Sequence, residues 1–145
     1  MGNSKTTISA TPEEIRDIFT KTNTIAIIGL SPNPEKDSNK VARYLQKVGY
    51  KIIPVYPKEV YILGEKVFRS LDEIDKRVDM VDIFRKPEFI ANVVDSVLAR
   101  NDVKCIWTQL GLINNKAAKK AILAGITVVQ DRCTKIEHQK MFTST

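Results

Sequence analysis

"IAIIGLSPNPEKDSNKVARYLQKVGYKIIPVYPK", residues 25–58, decides the fold. It opens inside a run, "TIAIIG" (24–29), that is apolar on both faces, as in a strand buried within a parallel sheet. A polar loop with two prolines follows. Ser38 then reads as the N-cap of a helix striped by Val41, Tyr44, Leu45 and Val48 and stopped at Gly49. A second apolar run, "YKIIPV" (50–55), completes a strand–helix–strand unit.

Outside this stretch the same alternation continues. "DMVDIF" (79–84), "VKCIWT" (103–108) and "ITVVQ" (126–130) are short runs rich in β-branched residues. Between them lie helical patterns, one striped by Phe89, Ile90, Val93, Val94, Val97 and Leu98, the other by Ala117, Ala118, Ala121 and Ile122. Thr11-Pro12-Glu13-Glu14 is a capping box with proline in the first helical turn, so a helix runs from there to about Thr20. The segment 58–78 suits a short hairpin and a helical turn from Ser70 to Ile74. Five strands alternating with helices imply right-handed crossovers. The expected architecture is α/β: a three-layer, doubly wound, Rossmann-like fold with a five-stranded, mainly parallel sheet. A closed barrel would need eight strands. We expect one domain over 1–145, with an N-terminal helix and arm (1–22) and a C-terminal tail (134–145).

Composition narrows the partners. The 145 residues suffice for one core that removes roughly two thirds of the unfolded surface from water. A net charge of +6 favours anionic ligands. Lys116, Lys119 and Lys120 read as a solvated helix face, without the interleaved aromatics of a nucleic-acid groove, and Trp107 as packing at the sheet edge. No run approaches the roughly 20 apolar residues of a membrane span. The start "MGNSKTTISATPEE" lacks a signal peptide's basic start and apolar centre, and its Met-Gly with Thr6 matches a myristoylation pattern no better than chance. Cys105 and Cys133 make no disulfide framework, so a reduced, cytoplasmic chain is expected.

Ligands of such sheets lie beyond the carboxyl ends of the strands. The first of those corners is Gly29-Leu30-Ser31-Pro32-Asn33-Pro34, without the glycine fingerprint of a dinucleotide site. The second is Val55-Tyr56-Pro57-Lys58, with a cation where NAD binding wants an acid for the ribose. A ribose bearing an extra phosphate suits it better, either the 2′-phosphate of NADP or the 3′-phosphate of coenzyme A. The helix opening near Ser38 offers unpaired amides to an anion, and Ser31 and Asn33 add hydrogen bonds. The plain alternative is a polar turn that caps a helix.

The stretch 25–58, "ILGEKVFRSLDEI", "VDMVDIFRKPEF", "WTQLGLINNKAAKKAILAGITVVQDRC" and "KIEH" together resemble the stand-alone CoA-binding domain proteins. These are similar to the N-terminal domain of the succinyl-CoA synthetase α subunit. The resemblance covers about 22–138 and implies coenzyme A as the ligand. It places Gly29, Ser31, Ser38 and Lys40 near the phosphates. Val55, Tyr56, Pro57 and Lys58 fall at the adenosine end, with tyrosine where the family has asparagine. Phe84 and Arg85, with Gln109 and Gly111 of "WTQLG", flank the pantetheine arm.

No catalytic set or metal-ligand spacing stands out. His138 reads as a solvated tail residue and Cys105 as core. Cys133, between Arg132 and Thr134 with Lys135 beyond, is either structural or able to exchange with a CoA disulfide. The expected function is binding of CoA or an acyl-CoA without catalysis by this chain alone. The alternatives are an NADP-binding protein of oxidoreductase type and an interaction scaffold with a degenerate site.

Overall fold

In the computed structural model, which describes residues 7–142, the Thr11 capping box opens the first helix. Glu14 N donates to Thr11 Oγ1, and Thr11 N donates to the Glu14 carboxylate at 2.8 Å. That helix is α1 (Pro12–Lys21). The chain start, with its myristoylation pattern, lies outside the described residues.

β1 (Thr24–Ile28), α2 (Asp37–Lys47) and β2 (Lys51–Val55) form the first crossover unit. β3 (Tyr61–Ile62) and β4 (Glu65–Lys66) make a hairpin, with Leu63 and Gly64 both at positive φ as a tight two-residue turn requires. A single helical turn at Leu71–Glu73 leads to β5 (Met80–Ile83). Then come α3 (Ile90–Leu98), β6 (Cys105–Thr108), α4 (Asn115–Leu123), β7 (Thr127–Val129) and α5 (Thr134–Phe142). Five strands pair in parallel in the order β2-β1-β5-β6-β7. The expected Rossmann-like α/β fold is therefore present.

Strand periodicity divides the core into two layers. Ala26, Ile28, Val81, Ile83 and Ile106 face α3 and α4, whose apolar residues Ile90, Val94, Val97, Ala117, Ala118 and Ala121 cover them. Ile25, Ile27, Met80, Cys105 and Trp107 face the opposite way, toward Ile15 and Phe19 of α1 and Val41 and Leu45 of α2.

Three expectations are corrected. Segment 134–142 is a helix, not a tail. Its buried members are Thr134, Glu137 and His138, polar residues with polar partners, so no apolar period marked it. Trp107 lies on the second strand from the edge, fully buried, and its indole Nε1 donates to the Arg132 carbonyl at 2.8 Å. Ser38 is not the N-cap of α2. Lys36 N donates to the Asn33 carbonyl, the helix starts at Asp37 with Lys36 in the cap position, and Ser38 is drawn inward in the first turn.

Candidate functional site

The strand order reverses between β1 and β5, and Gly29 sits at that point. Gly29 N donates to the Val55 carbonyl at 2.9 Å and Phe84 N to the Ile28 carbonyl at 2.8 Å, tying three strand ends together. Gly29 has φ +87, and a Cβ built there would overlap the Phe84 carbonyl oxygen. Only glycine suits both constraints.

The loop after Gly29 is bound to itself. Ser31 N donates to Ser38 Oγ at 3.0 Å, Asn33 N to Ser31 Oγ at 3.0 Å, and Glu35 N to Asn33 Oδ1 at 2.9 Å. Asn39 Nδ2 donates to the Ser31 carbonyl, and Arg43 bonds both Asn39 and the Pro34 carbonyl. These side chains hold the loop in shape.

Beside this loop, above the ends of β5 and β6, opens a cavity of about 740 Å³. Its wall takes Asp37 and Lys40 from α2, Phe84, Arg85 and Lys86 after β5, and Gln109, Leu110 and Leu112 after β6. The start of α5 closes it with Cys133, Lys135 and Ile136. Lys40, Arg85, Lys86 and Lys135 thus face a single carboxylate, Asp37, while Phe84, Leu110, Leu112 and Ile136 supply apolar surface. The Arg85 guanidinium is stacked 4.0 Å from the Phe89 ring centroid, which fixes its approach.

Of the residues singled out by sequence, Lys40, Phe84, Arg85 and Gln109 meet in this wall. Gly29, Ser31, Asn33 and Ser38 form the adjoining loop. Val55, Tyr56, Pro57 and Lys58 form a separate corner at the end of β2. There Arg69 Nη1 donates to the carbonyls of Tyr56 (3.1 Å) and Lys58 (2.9 Å), adding a second cation to the corner. Tyr56 is half-buried against the core and Lys58 is exposed. Gly111 does not border the cavity. It sits in a turn at φ +84, and its N–H is held by Asp131 Oδ1 at 2.7 Å.

Beneath the cavity lies a buried polar cluster. Asp82 on β5, fully buried, accepts from Gln109 Nε2 at one oxygen and from Thr134 Oγ1 at the other (2.9 Å). Burial pushes its carboxyl up to about 7, against the opposing pull of those two hydrogen bonds. The Cys105 thiol is raised by burial and by the nearby Asp82 carboxylate. On α5, His138 is buried rather than solvated: its Nδ1 lies 2.7 Å from Tyr44 Oη, and its ring packs 5.1 Å from Phe19 and 4.7 Å from Phe142. Burial lowers its pKa. Asp82 carried one legible signal, an acid inside an apolar strand. Lys135 was legible only as a cation near Cys133 and Ile136 carried no signal, because their helix was invisible. Among the described residues no cluster suits a metal, and no helix is long and apolar enough to cross a membrane.

A switch-point glycine, a self-bonded loop and a cationic cavity on a 2-1-5-6-7 sheet define a Rossmann-like ligand-binding domain. The family model for the CoA binding domain matches residues 23–139, and the chain belongs to that family. It is 38% identical over 125 residues to YneT of Bacillus subtilis (strain 168), covering 86% of this chain and 92% of that protein. A solved hypothetical protein from Pyrococcus horikoshii OT3 superposes with TM-score 0.86 at 36% identity, covering 94% of this chain and 98% of the other. Prb, the PH1109 protein redesigned for binding, superposes with TM-score 0.89 at 34% identity over 94% and 96% of the two chains.

Proposed function

We propose that this chain binds coenzyme A or an acyl-CoA and holds it for a partner without transforming it. The observation that carries this reading is the divided lining of the cavity. CoA joins a strongly anionic nucleotide end to a long, uncharged amide arm. Lys40, Arg85, Lys86 and Lys135 suit the anionic part, and Phe84, Leu110, Leu112 and Ile136 suit the arm and an acyl group. Membership of the CoA-binding domain family supports the same ligand.

In this reading Gly29, Ser31, Asn33 and Ser38 hold the loop beside the diphosphate, with Lys40 and Arg85 facing it. The Val55–Lys58 corner takes the adenosine end, where Lys58 and Arg69 read the 3′-phosphate and Tyr56 stacks on the base. The arm then runs past Gln109 toward Cys133, with Gly111 shaping the outer turn. The protein acts in the cytoplasm.

Calorimetric titration of the reduced protein with CoA, dephospho-CoA, NADP and NAD tests this. Micromolar binding of CoA, weakened by loss of the 3′-phosphate, is expected. Equal or tighter binding of NADP, or no heat from CoA at millimolar concentration, overturns it.

A further inference from the structure

Gln109 is 6% exposed, yet it lines the cavity. Its Nε2 lies within hydrogen-bond distance of Asp82 and, at 3.1 Å, of Thr134 Oγ1. Its Oε1 has no hydrogen-bond partner among the described residues. No fully buried side-chain oxygen or nitrogen among them lacks a partner, so Oε1 must be open to the cavity. The amide therefore has two ends with different surroundings: nitrogen toward Asp82, oxygen toward the ligand space. An ionised carboxylate can only accept, so it requires that orientation.

The groups around Asp82 leave it no other means of neutralisation. From β6 come Gln109 and the Cys105 thiol, from α5 Thr134, and from β1 the register partner Ile27. On α5 Glu137 pairs with Arg132 and Lys140, and His138 bonds Tyr44 instead. Among the described residues no cation is paired with the Asp82 carboxylate.

We propose that Asp82 is a positioning residue for the cavity: its carboxylate turns Gln109 so that the amide oxygen, a hydrogen-bond acceptor, is what a bound ligand meets. This rests on the CoA reading above. The pantetheine arm carries two amide N–H groups that such an acceptor suits. When Asp82 takes a proton from solvent, its carboxyl group donates to Gln109 Oε1. The amide then turns, and Nε2 faces the cavity. Thr134 Oγ1 donates to the second carboxyl oxygen in both states, and the turn costs it only the bond it accepts from Nε2, a loss that favours the ionised arrangement. A ligand N–H bonded to Gln109 Oε1 favours the ionised state, so binding tightens as pH rises through the titration of Asp82.

Two measurements separate this proposal from the CoA reading. In the ligand-free protein, the Gln109 side-chain NH₂ resonances are followed by ¹⁵N-correlated NMR from pH 5.5 to 8.5. A sigmoidal shift that Asp82→Asn abolishes is expected; resonances that do not move with pH overturn the proposal whether or not CoA binds. CoA affinity is then measured at pH 6 and 8 for wild type, Asp82→Asn and Gln109→Met. The ligand's own phosphate titration is common to all three proteins. Wild type should gain about tenfold more affinity over that range than either variant. Parallel profiles overturn the positioning role, while absence of binding by all three refutes the CoA reading and leaves the NMR titration to decide what Asp82 does to Gln109.

Discussion

Gly29 and Phe84 approach so closely at the switch point that the Phe84 carbonyl occupies the space a side chain at position 29 would need. This contact brings the loop after β1 against the segment that carries Arg85. Gly29→Ala should lower stability by roughly 2–5 kcal/mol, the sum of a left-handed alanine and an overpacked contact. A urea midpoint unchanged from wild type would contradict this reading of the switch point.

Lys58 and Arg69 lie at the β2 corner, away from the cavity wall. Because Lys58 is exposed, its pairing with a phosphate is worth little, about fivefold in affinity. Lys58→Ala should therefore weaken CoA by that factor and leave dephospho-CoA unaffected. A loss equal for both ligands would remove Lys58 from 3′-phosphate recognition.

Cys133 borders the cavity and Cys105 is buried under it. Iodoacetamide should alkylate Cys133 alone in the native protein, and saturating CoA should slow that reaction at least severalfold. Peptide mass spectrometry reads both sites. A Cys133 rate that ignores CoA would place the arm elsewhere, and modification of Cys105 would contradict its burial.

Asp82 and His138 give stability opposite dependences on pH. Asp82 is raised on folding from 3.8 to about 7, so the folded state binds more protons across that window. Its contribution is fully present below 3.8 and is lost as pH rises to about 7. His138 is lowered, so the unfolded state binds more protons, and its contribution is lost as pH falls below the usual value of 6.5. Relative to wild type, Asp82→Asn should gain about 4 kcal/mol between pH 4 and pH 8. Denaturant titrations across that range check it, and a constant difference between the two proteins would show that Asp82 does not titrate there.

Arg100 closes the long connection before β5. It bonds the carbonyls of Leu71 (3.0 Å), Ile74 (2.8 Å) and Lys76 (2.9 Å), and both oxygens of Asp102. Lysine cannot reproduce that fork, so Arg100→Lys should cost about 2–3 kcal/mol with CoA affinity preserved. Thermal unfolding of the variant beside wild type measures the loss.

What the sequence made legible follows from how each element is stabilised. β1, β2, β5, β6 and β7 are buried on both faces and announce themselves as β-branched runs. α3 showed its stripe because Ile90, Val94 and Val97 pack on an apolar layer. α5 did not, because what it buries is Thr134, Glu137 and His138. Periodicity also misled at Ile122, placed in the α4 stripe but 43% exposed, since the small face of Ala117, Ala118 and Ala121 already fills the gap to the sheet. For the site, the strand-end text pointed to Phe84, Arg85 and Gln109 and the family resemblance to Lys40 on α2, and the fold brings these four into one cavity wall. Thr134 and Arg69 arrive from distant segments, so only the folded chain brings them in.

The most direct test is a crystal structure of the reduced protein grown with saturating CoA. The arm is expected in the cavity between Gln109 and Cys133, with the 3′-phosphate at Lys58 and Arg69. CoA seated in another cleft, or an empty cavity in crystals of a protein saturated with CoA, would contradict it.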